Sequence, residues 1–155
     1  MKSSTSLYLK KLLENYPKLR INEDDITAGF ELLKGAFQSG RKLLVCGNGG
    51  SAADADHIVG ELMKGFLCKR PLPPEIRERI TRYDRSGCLS GSLQMALPAI
   101  NLSAHTALNT AICNDTSSEV IFAQQVLGYG IAGDVLLGIS TSGNSANVLN
   151  AGIVA

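Results

Sequence analysis

KLLVCGNGGS, residues 42–51, decides the fold. The apolar run Leu43 to Cys46 is too short for a helix, breaks into glycines, and opens a helix-compatible stretch from Ser51 to about Phe66. The order strand, turn, helix recurs in ALPAINLS (96–103) followed by AHTALNTAICND (104–115), and again in GDVLLGIS (133–140) followed by TSGNSANVLNAGIVA (141–155). Parallel neighbours need crossover connections, and helices supply them. The expected class is therefore α/β, a three-layer parallel sheet with helices on both faces.

Working outward, residues 7–16 and 23–39 carry apolar positions at helical spacing: Leu7, Leu9, Leu12 and Leu13, then Ile26, Phe30, Leu32, Leu33 and Phe37. Pro17 separates this N-terminal helical pair. Asn22 is placed to cap the second helix, Glu23, Asp24 and Asp25 occupy its first turn, and Gly40 stands where a helix end favours glycine. Residues 1–40 thus read as an N-terminal helical unit and 41–155 as the α/β domain, interrupted by an excursion at 66–97. Within it KRPLPPEIRERITRYDR (69–85) predicts a short helix after Pro74, and GCLSGS (87–92) reads as flexible loop. The excursion is either a solvated surface segment or a lid over a phosphate-containing ligand. The third unit stops inside its helix with no return strand, so the sequence reads as truncated at its C-terminus.

Composition narrows the partners. The 155 residues include 15 Lys+Arg against 14 Asp+Glu, a net charge of +1, with 45% hydrophobic residues, which describes one domain with a sizeable core. There is no bulk charge to attract nucleic acid or an anionic membrane, and no apolar run approaches the roughly 20 residues of a bilayer span. A small molecule or another protein is the expected partner, and a cytoplasmic location the expected address. Cys46, Cys68, Cys88 and Cys113 form no C-x-x-C and read as free thiols.

The turn Gly47-Asn48-Gly49-Gly50-Ser51 meets the requirements of an anion site, glycines for close backbone approach and unpaired N–H groups at a helix start, yet alone it is equally ordinary turn chemistry. It matches neither G-x-G-x-x-G nor a P-loop, so no nucleotide is expected. A second turn, Ser140-Thr141-Ser142-Gly143-Asn144-Ser145, packs four hydroxyls into six residues. Both turns fall at carboxyl ends of strands, where ligands of parallel sheets bind. Hydroxyls and helix N-terminal amides suit a phosphate monoester, while simple capping by Ser142 or Ser145 is the competing explanation. His57 and Glu61, four apart on one helix face, make either a surface pair, a partial metal site or a proton-transfer pair with Glu61 as base. Asn114 and Asp115 close the second unit, as turn formers or ligand contacts. His105 is assigned a structural role.

GNGGSAADADHIVGEL (47–62), AICND (111–115) and GDVLLGISTSGNSANV (133–148) resemble the sugar isomerase (SIS) domain family, a flavodoxin-like fold, and closely its phosphoheptose isomerase branch. The resemblance implies that Asn48, Gly49, Gly50 and Ser51 contact the sugar phosphate. It likewise implies that His57 and Glu61 bind zinc, one ion per subunit, and substrate, that Asn114 and Asp115 touch substrate, and that Ser140, Thr141, Ser142 and Ser145 bind the phosphate. Two departures stand out: the excursion, which compact members of the family do not have, and a Gln and a His that the family places on a later helix, the His as catalytic acid or base.

What the resemblance implies is isomerisation of sedoheptulose 7-phosphate to D-glycero-D-manno-heptose 7-phosphate through an enediol, supplying heptose for lipopolysaccharide or other surface polysaccharides. It further implies a homo-oligomer, a tetramer, built on the N-terminal helices. Rival readings are a non-catalytic SIS sugar-phosphate sensor or scaffold, such as the replication-initiator-associating type, and an isomerase of another phosphosugar. Retention of His57 and Glu61 favours an enzyme. As given, the 155 residues are expected to lack part of the active site and to turn substrate over negligibly.

Overall fold

The computed structural model describes residues 3–155; Met1 and Lys2 of the N-terminal unit lie outside the described residues. The chain runs α1 (Ser3–Asn15), α2 (Glu23–Gln38), β1 (Leu43–Gly47), α3 (Gly50–Met63), α4 (Pro74–Thr81), α5 (Cys88–Ser92), β2 (Ala99–Asn101), α6 (Thr106–Asp115), α7 (Ile121–Tyr129), β3 (Val135–Ile139) and α8 (Ala146–Val154). The strands form one parallel sheet in the order β2-β1-β3, with Leu43 level with Ala99 on one side and Val135 on the other.

Strand alternation sends successive β1 residues to opposite faces, and two separate cores result. Leu43 and Val45 pack with Leu33 and Phe37 of α2 and with Ala55, Ile58, Val59 and Leu62 of α3. Leu44 and Cys46 pack with Phe122 and Val126 of α7 and with Val148 and Ala151 of α8. This is the expected three-layer α/β architecture. Every residue of β1 is buried, as a central strand covered on both faces requires. Burial also pushes the Cys46 thiol up to about 11, against any nucleophilic role. All four cysteines are free.

Pro17 does separate the first two helices, but it opens a 3-10 turn over Pro17–Asn22 that runs straight into α2. That continuity corrects the expected cap. The Asn22 side chain makes no capping bond, and the Glu23 N–H donates to the Arg20 carbonyl instead. Gly40, at φ 69°, takes the left-handed conformation expected beyond the end of α2. In the excursion the helix after Pro74 is present as α4, whereas GCLSGS is not a loop: it contains helix α5. Asp84 accounts for the difference, its carboxylate accepting the N–H groups of Leu89 (2.8 Å) and Ser90 (3.3 Å) and the Ser86 hydroxyl (2.6 Å). The Ser86 hydroxyl bond, with the backbone N–H groups of Leu89, Ser90 and Ser86, holds that carboxyl below its usual range. Helix α7, to which the sequence reading assigns no element, supplies much of one core.

Arg70 closes the base of the excursion. Its guanidinium donates to the carbonyls of Leu62 (2.6 Å), Glu61 (3.3 Å) and Met95 (2.8 Å), satisfying the end of α3 and tying the two arms of the excursion together. Among the described residues the excursion's other cations, Lys69, Arg77, Arg79, Arg82 and Arg85, enter no ion pair.

At the opposite end of the sheet, Asp134 joins the starts of β1 and β3. It accepts from the Lys42 ammonium, the Lys42 N–H (3.0 Å) and the Ile131 N–H (2.9 Å). Burial opposes its ionisation, yet these bonds outweigh burial and its pKa is lowered. A pKa lower in the folded than in the unfolded chain makes the contribution of the clamp complete above about pH 4, and it is lost as pH falls through the folded pKa. Asp134→Asn is therefore expected to cost about 1–3 kcal/mol at pH 7 and to flatten the acid limb of the stability profile. Urea unfolding from pH 2 to 7 measures both; an unchanged acid limb would contradict the assignment.

Candidate active site

Strand β1 delivers the first turn at its carboxyl end. Gly47 is buried, and a Cβ there would lie 2.8 Å from the Ser51 backbone, so α3 can start this close to the strand only over glycine. Gly49 turns the chain at φ 54°, and the Ser51 N–H closes the turn on the Asn48 carbonyl at 3.0 Å. The N–H groups of Gly49 and Gly50 find no acceptor among the described residues, and neither does the hydroxyl of Ser51, a residue 8% exposed. These are the orphan donors of a helix start.

The second turn follows β3. Ser140 and Ser145 share a hydroxyl bond of 2.9 Å, Ser142 Oγ lies 3.4 Å from Ser140 Oγ, and Ser142 also accepts the Asn144 N–H at 3.2 Å. Neither Ser142 nor Ser145 caps α8 through its side chain. The hydroxyls gather on Ser140 instead, and the N–H groups of Ala146 and Asn147 have no acceptor among the described residues. Capping, the competing explanation for the serines, does not describe this turn.

The two turns meet. Asn48 and Asn147 exchange amide hydrogen bonds of 2.9 and 3.0 Å, joining residues 99 apart in sequence. The sheet topology brings them together: β1 and β3 are neighbours, but α3 lies on one face and α8 on the other. A crevice opens where neighbouring connections diverge to opposite faces. Neither turn contains Lys or Arg, so the charge available to an anion comes from two helix N-termini and the hydroxyls.

A polar network supports the first turn from the β2 side. The Ser103 hydroxyl donates to the Gly47 carbonyl (2.7 Å) and accepts its N–H (3.3 Å), the Ser103 N–H donates to Asn101 Oδ1 (2.8 Å), and Asn101 Nδ2 donates to Asp56 of α3 (2.7 Å). Gln125 and Asn109 hold the Leu102 carbonyl behind it, at 2.9 and 3.2 Å. Ser103, Asn101 and Asn147 escape the sequence reading, because pairings across 45 to 99 residues leave no local spacing to find.

His57 and Glu61 stand exposed on α3, one turn apart as expected. Glu61 Oε2 accepts the Phe66 N–H at 3.3 Å. Zinc asks for about four ligands, and among the described residues no group of three or more His, Cys, Asp or Glu side chains is assembled to hold an ion. The pair alone does not make a metal centre. Asn114 and Asp115 are exposed at the end of α6 and bond each other at 2.7 Å, with no bond to either turn. The segment after them approaches α8, where Asn150 donates to the Glu119 carbonyl at 3.0 Å. His105 stacks on Tyr129 with centroids 5.6 Å apart, in keeping with a structural role.

The SIS domain family model matches residues 8–79, from α1 into α4. The phosphoheptose isomerase of Pelodictyon phaeoclathratiforme is 42% identical over 147 residues, covering 95% of this chain and 58% of that protein. That of Chlorobium limicola is 42% identical over 146 residues, covering 94% and 57%. Among solved structures, a phosphoheptose isomerase from Neisseria gonorrhoeae is similar at TM-score 0.64 and 34% identity, covering 98% of this chain and 64% of that one. One from Francisella tularensis is similar at 0.68 and 29%, covering 100% and 70%. The chain thus spans a little under three fifths of those two sequence relatives. With the matched domain, the shared fold and this likeness over nearly its whole length, the chain belongs to the SIS domain family and stands within it beside proteins named phosphoheptose isomerase.

Proposed function

We propose that these residues form the phosphosugar-binding part of a phosphoheptose isomerase that converts sedoheptulose 7-phosphate to D-glycero-D-manno-heptose 7-phosphate. The observation that carries the proposal is the junction of two donor-rich turns through Asn48 and Asn147, directly above the helix that bears His57 and Glu61. The phosphate is received by the Ser140, Thr141, Ser142 and Ser145 turn with Ser51 and the N–H groups of Gly49 and Gly50. Asn48, Asn114 and Asp115 address the sugar.

The chemistry is a balanced isomerisation. A base removes a proton from C1, the C1–H electrons form the C1–C2 double bond, and the C2 oxygen gains a proton to give the enediol. Loss of the O1 proton and protonation at C2 then complete the aldose. Glu61, one turn from His57, is the proposed base, and the Phe66 N–H on its Oε2 orients it. His57 is proposed to hold substrate. Zinc binding by His57 and Glu61 is proposed on the family's ligand pattern alone. The pair falls short of a complete site, and no step here runs through a metal.

A sensor or scaffold would need only the phosphate turns, and the retained His57 and Glu61 favour the enzyme. A cytoplasmic address and a role in heptose supply for surface polysaccharides belong to the same proposal. No helix of the described residues is long and apolar enough to cross a membrane. A homotetramer assembled through α1 and α2 is supported by the apolar cleft of about 210 Å³ between them, lined by Tyr8, Leu9, Leu12, Ile26 and Phe30, and by Leu7 and Leu32, 55% and 62% exposed.

On the longest natural chain containing these residues, Glu61→Gln is expected to lower kcat about 10²–10⁴-fold while KM stays within about threefold. Steady-state assay of heptose 7-phosphate interconversion checks it; a kcat within twofold of the parent would remove Glu61 as base. For assembly, sedimentation equilibrium at micromolar concentration should return four chains, and Leu7→Glu with Leu32→Glu should yield a smaller species. A monomer in the unaltered protein would contradict the helical interface.

A further inference from the structure

We propose that Asn147 is a positioning residue: its amide holds Asn48, and through it the β1–α3 turn, at the separation from the serine turn at which both helix N-termini address one phosphate group. The inference rests on the phosphate-site reading above and adds to it the part that assembles the site.

The sheet alone does not fix this separation. Backbone pairing sets β1 against β3 only as far as Gly47 opposite Ile139, and both turns run on beyond that point. From there the chain enters α3 on one face and α8 on the other, so no shared core holds the two helix starts together. The first turn is gripped instead from its two sides. On the β2 side, Ser103 binds both the carbonyl and the N–H of Gly47. On the β3 side, the grip is the reciprocal amide pair with Asn147.

Glycine at position 138 gives the first turn of α8 room against its strand. A Cβ at Gly138 would lie 2.6 Å from Val148 Cγ1, so the glycine lets the first turn of α8 settle toward the sheet. The pairing uses one N–H and one carbonyl lone pair of each amide, leaving each with a further N–H for a ligand. It therefore orients Asn48 while leaving one of its two side-chain N–H donors free. The Asn147 backbone N–H, without an acceptor among the described residues, stands on the same residue, so side chain and backbone link the two halves of the site. Because the pair is exposed, its contribution to folding is small, and the geometry it imposes is the larger consequence.

The test is isothermal titration of inorganic phosphate into the chain and into N147A, N48A and the double variant, with thermal unfolding of each. N147A should weaken phosphate binding about tenfold, the equivalent of two neutral hydrogen bonds, while Tm moves by no more than about 3 °C. The double variant should bind no more weakly than N48A alone, because Asn147 acts through Asn48. The side-chain amide resonances of Asn48 should move in N147A before any phosphate is added, a signature that a general loss of stability would not produce. Phosphate binding that N147A leaves within twofold, or effects of the two single variants that multiply in the double, would overturn the positioning role alone. No phosphate binding by the unaltered chain would overturn the phosphate site and this proposal with it.

Discussion

Helix α3 meets strand β1 so closely that one methyl group at Gly47 would lie 2.8 Å from the backbone of Ser51. A Cβ essentially never comes that near a carbon of another residue's backbone, so the junction holds only while position 47 is glycine. Everything above it follows from this approach. Gly49 turns the chain in a conformation costly for other residues, and α3 begins at once with its first amides facing outward. A looser junction would let the chain cap its own helix and would consume the donors on which an anion site depends.

The second constraint is topological. With β1 in the centre, β3 beside it and their helices on opposite faces, the two turns end side by side without competing for the same core. Such a crevice can be lined from both directions, and here each direction contributes hydroxyls and amides without acceptors among the described residues. The absence of Lys and Arg from both turns has a physical consequence. Binding through aligned dipoles and neutral hydroxyls discriminates by geometry and is less sensitive to salt than an ion pair exposed to solvent.

Much of this was legible in the sequence, for reasons that differ by element. The strands and their following helices could be read because a short apolar run that breaks into glycine or serine before a helical stretch has few other uses in a chain of this composition. The serine turn could be read as a ligand site only together with the first turn, since hydroxyls near a helix start usually cap it; the bond between Ser140 and Ser145 shows that here they do not. Asn22 illustrates the opposite case, a good capping residue left unused because a 3-10 turn already supplies the acceptors. Helix α5 hides in GCLSGS because its stability comes from Asp84 upstream and not from its own residues. The pairings of Asn48 with Asn147 and of Gly47 with Ser103 lie beyond any local pattern. They are tertiary facts about which strands are neighbours.

The central claim is that two turns distant in sequence act as one anion site. Titrating inorganic phosphate into the ¹⁵N-labelled chain and following the backbone amides tests it most directly. The account predicts that Gly49 and Gly50 of the first turn and Ala146 and Asn147 of the second shift together along curves with a single common Kd. Response confined to one turn, or two turns saturating at separate concentrations, would contradict it.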